Sequence, residues 1–252
     1  MLVFAIALAG ERTAWATVPA LDARAERVLV GADVAPPAFD ARGVWRVEKG
    51  RVALKDGDVT RLNDWLPRGV VLRDGFVRMR IEGPRPRHVA MLLRVQVPKG
   101  DFGRLAGYAL TLRGDDLQWM RRDNGVLRPL GASVRVRGLR RRRSVEIAAW
   151  LVGPNLSATV YDGVRLEPLG SVAVGDATYT DGRVGYHEFG TQASKAAVTL
   201  LTVRAAGEKT GARVDPAGDF RFARVASAAL ARADPALRAL VTVVDRKGAL
   251  SA

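Results

Sequence analysis

The chain has no cysteine among its 252 residues. That excludes a disulfide framework and a thiolate metal site, and it removes any redox mark of the compartment. Histidine is nearly absent too. His88 and His187 are the only two, too few for a zinc centre unless carboxylates join them. No apolar run reaches the roughly 18 residues that a membrane-spanning helix needs. Lysine is scarce: six of the 40 basic residues, which leaves 34 arginines. The formal charge of +14 invites a polyanion. Arginine so favoured over lysine, beside abundant alanine, valine and glycine, is first of all the composition of a GC-rich genome. Neither a G-x-S-x-G elbow nor a phosphate-binding G-x-x-x-x-G-K-[ST] loop occurs.

What the chain does have is alternation. Val77, Met79 and Ile81 alternate with Arg78 and Arg80, and Val89, Met91, Leu93, Val95 and Val97 alternate with Ala90, Leu92, Arg94 and Gln96. A period of two places every second side chain on one face of a sheet. Such segments recur from about Trp45 to Arg204. Between them stand Glu48-Lys49-Gly50, Gly114-Asp115-Asp116, Asp123-Asn124-Gly125 and Gly153-Pro154-Asn155, which supply positive φ or a preset proline φ for turns. The fold expected is all-β, a two-sheet antiparallel jelly-roll sandwich over 17–206 with its core in 44–205. Residues 17–44 read as a leader, and 34–40 as an extended lead-in without a clean period. AAVTLLTVRA (196–205) is the expected closing strand. Residues 207–252 read as a linker and a helical tail, the start of a further domain or a docking helix.

The N-terminus carries the apolar run Leu2 to Ala9 and then Ala14-Trp15-Ala16 before Thr17. Together they resemble the later part of a secretory signal peptide without its basic region. Residues 1–16 are therefore expected to be a truncated signal peptide, and the location secreted or periplasmic.

The strand pair around Gly153 is internally consistent. Val145, Ile147, Ala149 and Leu151 share a face, as do Leu156, Ala158 and Val160, and a turn at Val152–Asn155 aligns the two rows; one residue of slip would put a row into water. The opposite faces then gather Glu146, Trp150, Ser157, Thr159 and Tyr161. Indole and phenol rings beside a carboxylate and hydroxyls suit a sugar, whose C–H faces stack while its hydroxyls bond. Trp150, Tyr161, Glu146 and Thr159 are the candidate ligand residues, with Arg94 and Gln96 expected to join the same groove. Packing under a loop or helix is the competing reading. Tyr108 and Trp119 share faces with leucines and read as core. His187-Glu188 reads as an exposed or cleft-lining turn, an acid/base pair only in the less favoured reading. Asp162 reads as an Asx turn. Arg140, Arg141, Arg142 and Arg143 form a basic loop tip able to attract acidic polysaccharide, lipid phosphate or nucleic acid; a solvated loop is the plainer reading.

Laid out in this way, VWRVEKGRVAL, RDGFVRMRIEG, HVAMLLRVQV, GYALTLRGDDLQWMRR, TVYDGVRLEPLG and DGRVGYHEFGTQASKAAVTLLTVRA resemble the concanavalin A-like sandwiches, especially laminin-G-like and three-keto-disaccharide hydrolase-type domains. The resemblance covers roughly 44–205. It implies two curved antiparallel sheets, sugar or protein binding on the concave side and, in some members, calcium. The retaining glucanases of that fold carry E-x-D-x-x-E on one strand, because one carboxylate must protonate the leaving oxygen while another attacks or activates water. No such motif is present; Glu146 stands alone on its strand, and Asp115-Asp116 read as a turn.

The function expected is a non-catalytic module binding carbohydrate or another surface ligand. The partner is a polysaccharide or glycan, an acidic one where the arginine loop takes part. Nucleic acid is the disfavoured polyanion, since no nucleic-acid-binding fold is evident. No metal site and no cofactor is read from the residues themselves. A glycan hydrolase of the keto-disaccharide type and a structural domain beside a catalytic neighbour are the alternatives.

Overall fold

The computed structural model describes residues 3–4, 16–17, 21–35, 37–56, 63–83, 88–136, 138–189 and 196–206. The tail expected over 207–252 and most of the 1–16 leader lie outside the described residues. The chain divides into two units, residues 1–21 with 206–252, and residues 22–205. In the first, Val3–Phe4 (β1) pairs antiparallel with Ala16–Thr17 (β2).

The second unit is the sandwich. Its strands in chain order are Leu21–Val30 (β3), Phe39–Arg42 (β4), Val44–Glu48 (β5), Arg51–Asp56 (β6), Asn63–Pro67 (β7), Gly75–Glu82 (β8), His88–Gln96 (β9) and Ala106–Arg113 (β10). They continue with Asp116–Asp123 (β11), Val126–Arg135 (β12), Ser144–Val152 (β13), Asn155–Asp162 (β14), Pro168–Gly175 (β15), Arg183–Glu188 (β16) and Ala197–Ala206 (β17). One sheet has seven strands in the order β12-β11-β10-β9-β16-β7-β4, and the other has eight, β15-β14-β13-β8-β17-β6-β5, with β3 also paired to β17. The local hairpins follow from their turns. The 145–160 pair has the register expected, Leu151 opposite Leu156 and Val152 opposite Asn155. Arg113 lies opposite Asp116, Asp123 opposite Val126 and Glu48 opposite Arg51, so each Gly-bearing dipeptide between them is a two-residue turn.

The inward rows build the core. Val77, Met79 and Ile81 of β8 meet Val89, Met91 and Leu93 of β9, together with Tyr108, Trp119, Ile147, Val160 and Tyr186, all buried in one cluster. Tyr108 also bonds the Asp176 carboxylate through its hydroxyl at 2.7 Å; burial first, then that bond, pushes its phenol up to about 12.

Two expectations need correction. The span 17–44 is more than a leader, because β3 delivers Leu29 and Val30 to the core and β4 forms one edge of the seven-stranded sheet. Val95 leaves the inward row of β9. Between the pairs Tyr108–Leu93 and Ala106–Gln96 the β9 side has one residue too many, and the backbone at Arg94 takes φ 50°. This bulge reverses the alternation, so that Val95 joins Leu66, Ala90, Leu92, Leu105 and Ala109 in a second, smaller apolar cluster.

Candidate functional site

On the eight-stranded sheet the register puts Glu146 opposite Tyr161, Ala148 opposite Thr159 and Trp150 opposite Ser157, which is the polar face expected. The face is closed. Trp150 is 4% exposed and Tyr161 3%. Phe76, one strand over, tilts against the Trp150 indole with 4.6 Å between ring centroids. Glu146 is buried between two arginines: Arg78 reaches both of its oxygens, and Arg80 binds Oε2 at 2.8 Å. The Thr159 hydroxyl is 2.8 Å from Ser171 Oγ on the next strand. Burial, first among its causes, pushes the Tyr161 phenol well up. These residues are brought together as read from the sequence, but Trp150 packs on Phe76 and the Tyr161 side chain is buried.

Arg94 and Gln96 do not join them. They belong to β9 in the other sheet. The bulge turns the Arg94 side chain inward, where it donates to Arg73 O at 2.8 Å, Gly153 O at 2.8 Å, Tyr179 O at 3.1 Å and Asp74 Oδ1 at 3.0 Å. It ties β9 to three loop segments, at 73–74, 153 and 179, and each of its nitrogens donates. Gln96 is exposed and bonds Asp181 O at 2.7 Å.

The seven-stranded sheet holds a polar cluster that the sequence reading missed. His187 is no turn residue: it lies within β16, opposite Asp64 of β7 on one side and Ala90 of β9 on the other. Val184 and Tyr186 face the core, so Gly185 and His187 face outward by alternation. That parity was the available signal. His187 Nδ1 stands 2.7 Å from Asp64 Oδ1, and Arg122 Nη1 of β11 donates to the same oxygen at 2.9 Å. The three side chains are 1%, 0% and 4% exposed. Because a carboxylate oxygen can only accept, the ring proton must sit on Nδ1. Burial works against an ionised Asp64, yet the His187 ring and the Arg122 guanidinium overcome it and hold the carboxyl below its ordinary value. Among the described residues, four atoms of the cluster are buried without a hydrogen-bond partner: Asp64 Oδ2, His187 Nε2, and Nε and Nη2 of Arg122.

The Arg122–Asp64 contact also reports the shape of the sheet. β11 and β7 are separated by β10, β9 and β16, so in a flat sheet they would lie about 19 Å apart at the usual strand spacing. An arginine and an aspartate cannot bridge that gap together. The outer face must therefore be concave, with the pair along the chord. The floor of the trough is built of small buried residues: Ala109 on β10, Ala90 on β9 and Gly185 on β16, where a methyl group would meet Leu66 Cδ2 and Trp65 O at 2.4 Å. Leu105 is buried in the apolar part of the same face, and Val97, Phe102 and Leu127 pack against it.

No family model and no curated protein matches this chain. Solved structures do. The exoplasmic/lumenal domain of VIP36 in its Ca2+/Man3GlcNAc-bound form superposes with a TM-score of 0.54 and 12% identity, covering 79% of this chain and 96% of that one. Its metal-free form gives 0.52 and 12% over 80% and 100%. The carbohydrate binding module CBM66 from Bacillus subtilis aligns more loosely, at 0.48 and 12% over 67% and 94%. The fold is a concanavalin A-like, lectin-type sandwich.

Two candidates remain, Asp162 and the arginine loop. Asp162 is the Asx turn expected, its Oδ1 accepting from the backbone of Val164 and Arg165 at 2.8 and 2.9 Å. Arg142 of the basic loop is tied to Asp162 Oδ2 at 2.5 Å, whereas Arg141 and Arg143 are exposed; the Arg140 side chain lies outside the described residues. Among the described residues no three His, Asp or Glu side chains converge to hold a metal ion. Among them, too, no helix is long and apolar enough to cross a membrane.

Proposed function

We propose that the chain is a non-catalytic glycan-binding module of an exported protein, and that its ligand lies in the concave trough of the seven-stranded sheet. One observation carries the reading: the trough of a lectin-type sandwich buries Asp64, His187 and Arg122 with four polar atoms that no group among the described residues satisfies. Buried polar atoms are costly without a partner. Donors and acceptors fixed in a concave surface are what a polyhydroxylated ligand pairs with. The Trp150–Tyr161 face is assigned the complementary role, the closed back of the scaffold.

A glycan array probed with the full chain tests the reading. Binding is expected, and Arg122→Met should lose at least tenfold in affinity for whichever glycan is selected. Tyr161→Phe should leave that affinity unchanged. Loss on Tyr161→Phe with retention on Arg122→Met would return the site to the other face. A hydrolytic reading is favoured by one feature, the Asp64–His187 pair at 2.7 Å with Nε2 left over, the arrangement of an oriented general base. Turnover of a glycoside that disappears in His187→Gln would establish it. Silence in both assays would leave a structural domain.

A further inference from the structure

The sandwich contains two buried arginine–carboxylate clusters, and they use the guanidinium differently. On the eight-stranded sheet Arg78 presents its side-on edge, Nε and Nη2, to the two oxygens of Glu146, and Arg80 places the same edge on Oε2. Two parallel N–H donors at that spacing match a carboxylate. On the seven-stranded sheet Arg122 gives Asp64 only Nη1. Among the described residues its Nε–Nη2 edge meets no acceptor, although the side chain is only 4% exposed. One molecule thus shows the fork both filled and unfilled. Beside the unfilled fork stand Asp64 Oδ2, an acceptor, and His187 Nε2.

We infer that this cluster is a receptor for a carboxylate carrying a neighbouring hydroxyl, the acidic end of a sugar acid such as a uronate. The ligand carboxylate takes the Nε–Nη2 edge of Arg122, one adjacent hydroxyl donates to Asp64 Oδ2, and another pairs with His187 Nε2. A neutral sugar could serve Asp64 and His187 but would bring no anion to the fork. A dianionic phosphate fits less well, because Asp64 already places a negative charge beside the guanidinium. The inference rests on the glycan reading above and adds the class of sugar.

Calorimetric titration of the full chain with oligogalacturonate, with the same oligosaccharide methyl-esterified, and with free glucuronate and N-acetylneuraminate tests it. At least one free acid should bind, and its methyl ester should bind at least tenfold more weakly. Arg122→Lys keeps the charge but not the fork, and should also lose at least tenfold. The Arg122 Nε–H resonance, assigned in the unaltered protein, should shift as the acid is added, which gives a readout independent of whether the variant folds. Equal binding of acid and ester, or an Arg122→Lys variant with undiminished affinity, would overturn the inference. If neutral glycans bind while every acid fails, the carboxylate assignment falls and the glycan reading stands. If no glycan binds at all, and ordered water alone satisfies the fork, both fall.

Discussion

The two outer faces of this sandwich bury similar groups and leave them in opposite conditions. Behind the eight-stranded sheet, Glu146 is held by two arginines that engage both of its oxygens, and Trp150 lies under Phe76. In the trough of the seven-stranded sheet, Asp64 receives both of its partners on one oxygen, and the carboxylate-matching edge of Arg122 has no acceptor among the described residues. A completed network contributes order, whereas an incomplete one costs free energy that must be recovered from outside the chain. Burial alone does not separate the two faces; the state of their hydrogen bonds does.

Mutations should separate them by stability. Trp150→Ala removes a nearly buried indole and its contact with Phe76, so chemical denaturation should show a loss of about 4 kcal/mol. Glu146→Gln comes next. It leaves Arg78 and Arg80, which are 15% and 31% exposed, sharing a neutral amide, and should cost about 2–3 kcal/mol. A cost below about 0.5 kcal/mol, the level of an ordinary surface change, would show that the back cluster is not the structural one.

How much of this was legible in the sequence depended on chain distance. The 145–160 hairpin, the Asx turn of Asp162 and the burial of Tyr108 and Trp119 all follow from local alternation and turn chemistry, and the structure has them so. The polar cluster does not. Asp64 and His187 are 123 positions apart and Arg122 is 58 from Asp64, and only the non-local order β9-β16-β7 brings them together. β7 itself, Asn-Asp-Trp-Leu-Pro, has no amphipathic signature, and all five of its residues are buried. Alternation says which side chains share a face and not what covers that face, which is why Trp150 and Tyr161 read as open. A single extra residue at Arg94 reversed the alternation of β9 and moved a candidate ligand group into a structural tie.

In the trough, exchanging both ions at once, Arg122→Met together with Asp64→Asn, should cost under about 1 kcal/mol, since replacing a poorly satisfied buried ion pair by uncharged groups is close to neutral. A loss as large as that of Glu146→Gln would erase the contrast. Acid sharpens it further. The Asp64 carboxyl is held below its unfolded value, so its stabilising contribution is complete above that value, near pH 4, and is lost as the pH falls through the lower, folded one. Asp64→Asn should therefore flatten the acid side of a stability–pH curve. An unchanged curve would mean that the carboxyl is not held down in the folded protein.

The smallest effects belong to the arginine loop, which contrasts exposed charge with the buried fork. Arg142 is about one-third exposed and is tied to Asp162. The carboxyl of Asp162 lies below its ordinary value chiefly because it accepts the Arg165 backbone N–H; burial opposes this, and the Val164 N–H and the nearby arginine charges assist. Since those backbone bonds survive the change, Arg142→Ser should cost less than about 1 kcal/mol. Arg141→Ser and Arg143→Ser, at exposed positions, should fall within about 0.5 kcal/mol of zero. Their effect belongs to long-range attraction. The double variant should weaken binding of an acidic glycan a few-fold at 20 mM salt and not at all at about 1 M, where screening confines charge effects to about 3 Å. Arg122→Lys, by contrast, should lose the same affinity at either salt, because a buried fork acts through geometry and is screened little. If its loss faded with salt as the loop variant's does, recognition would be electrostatic throughout, and the trough would not be the site.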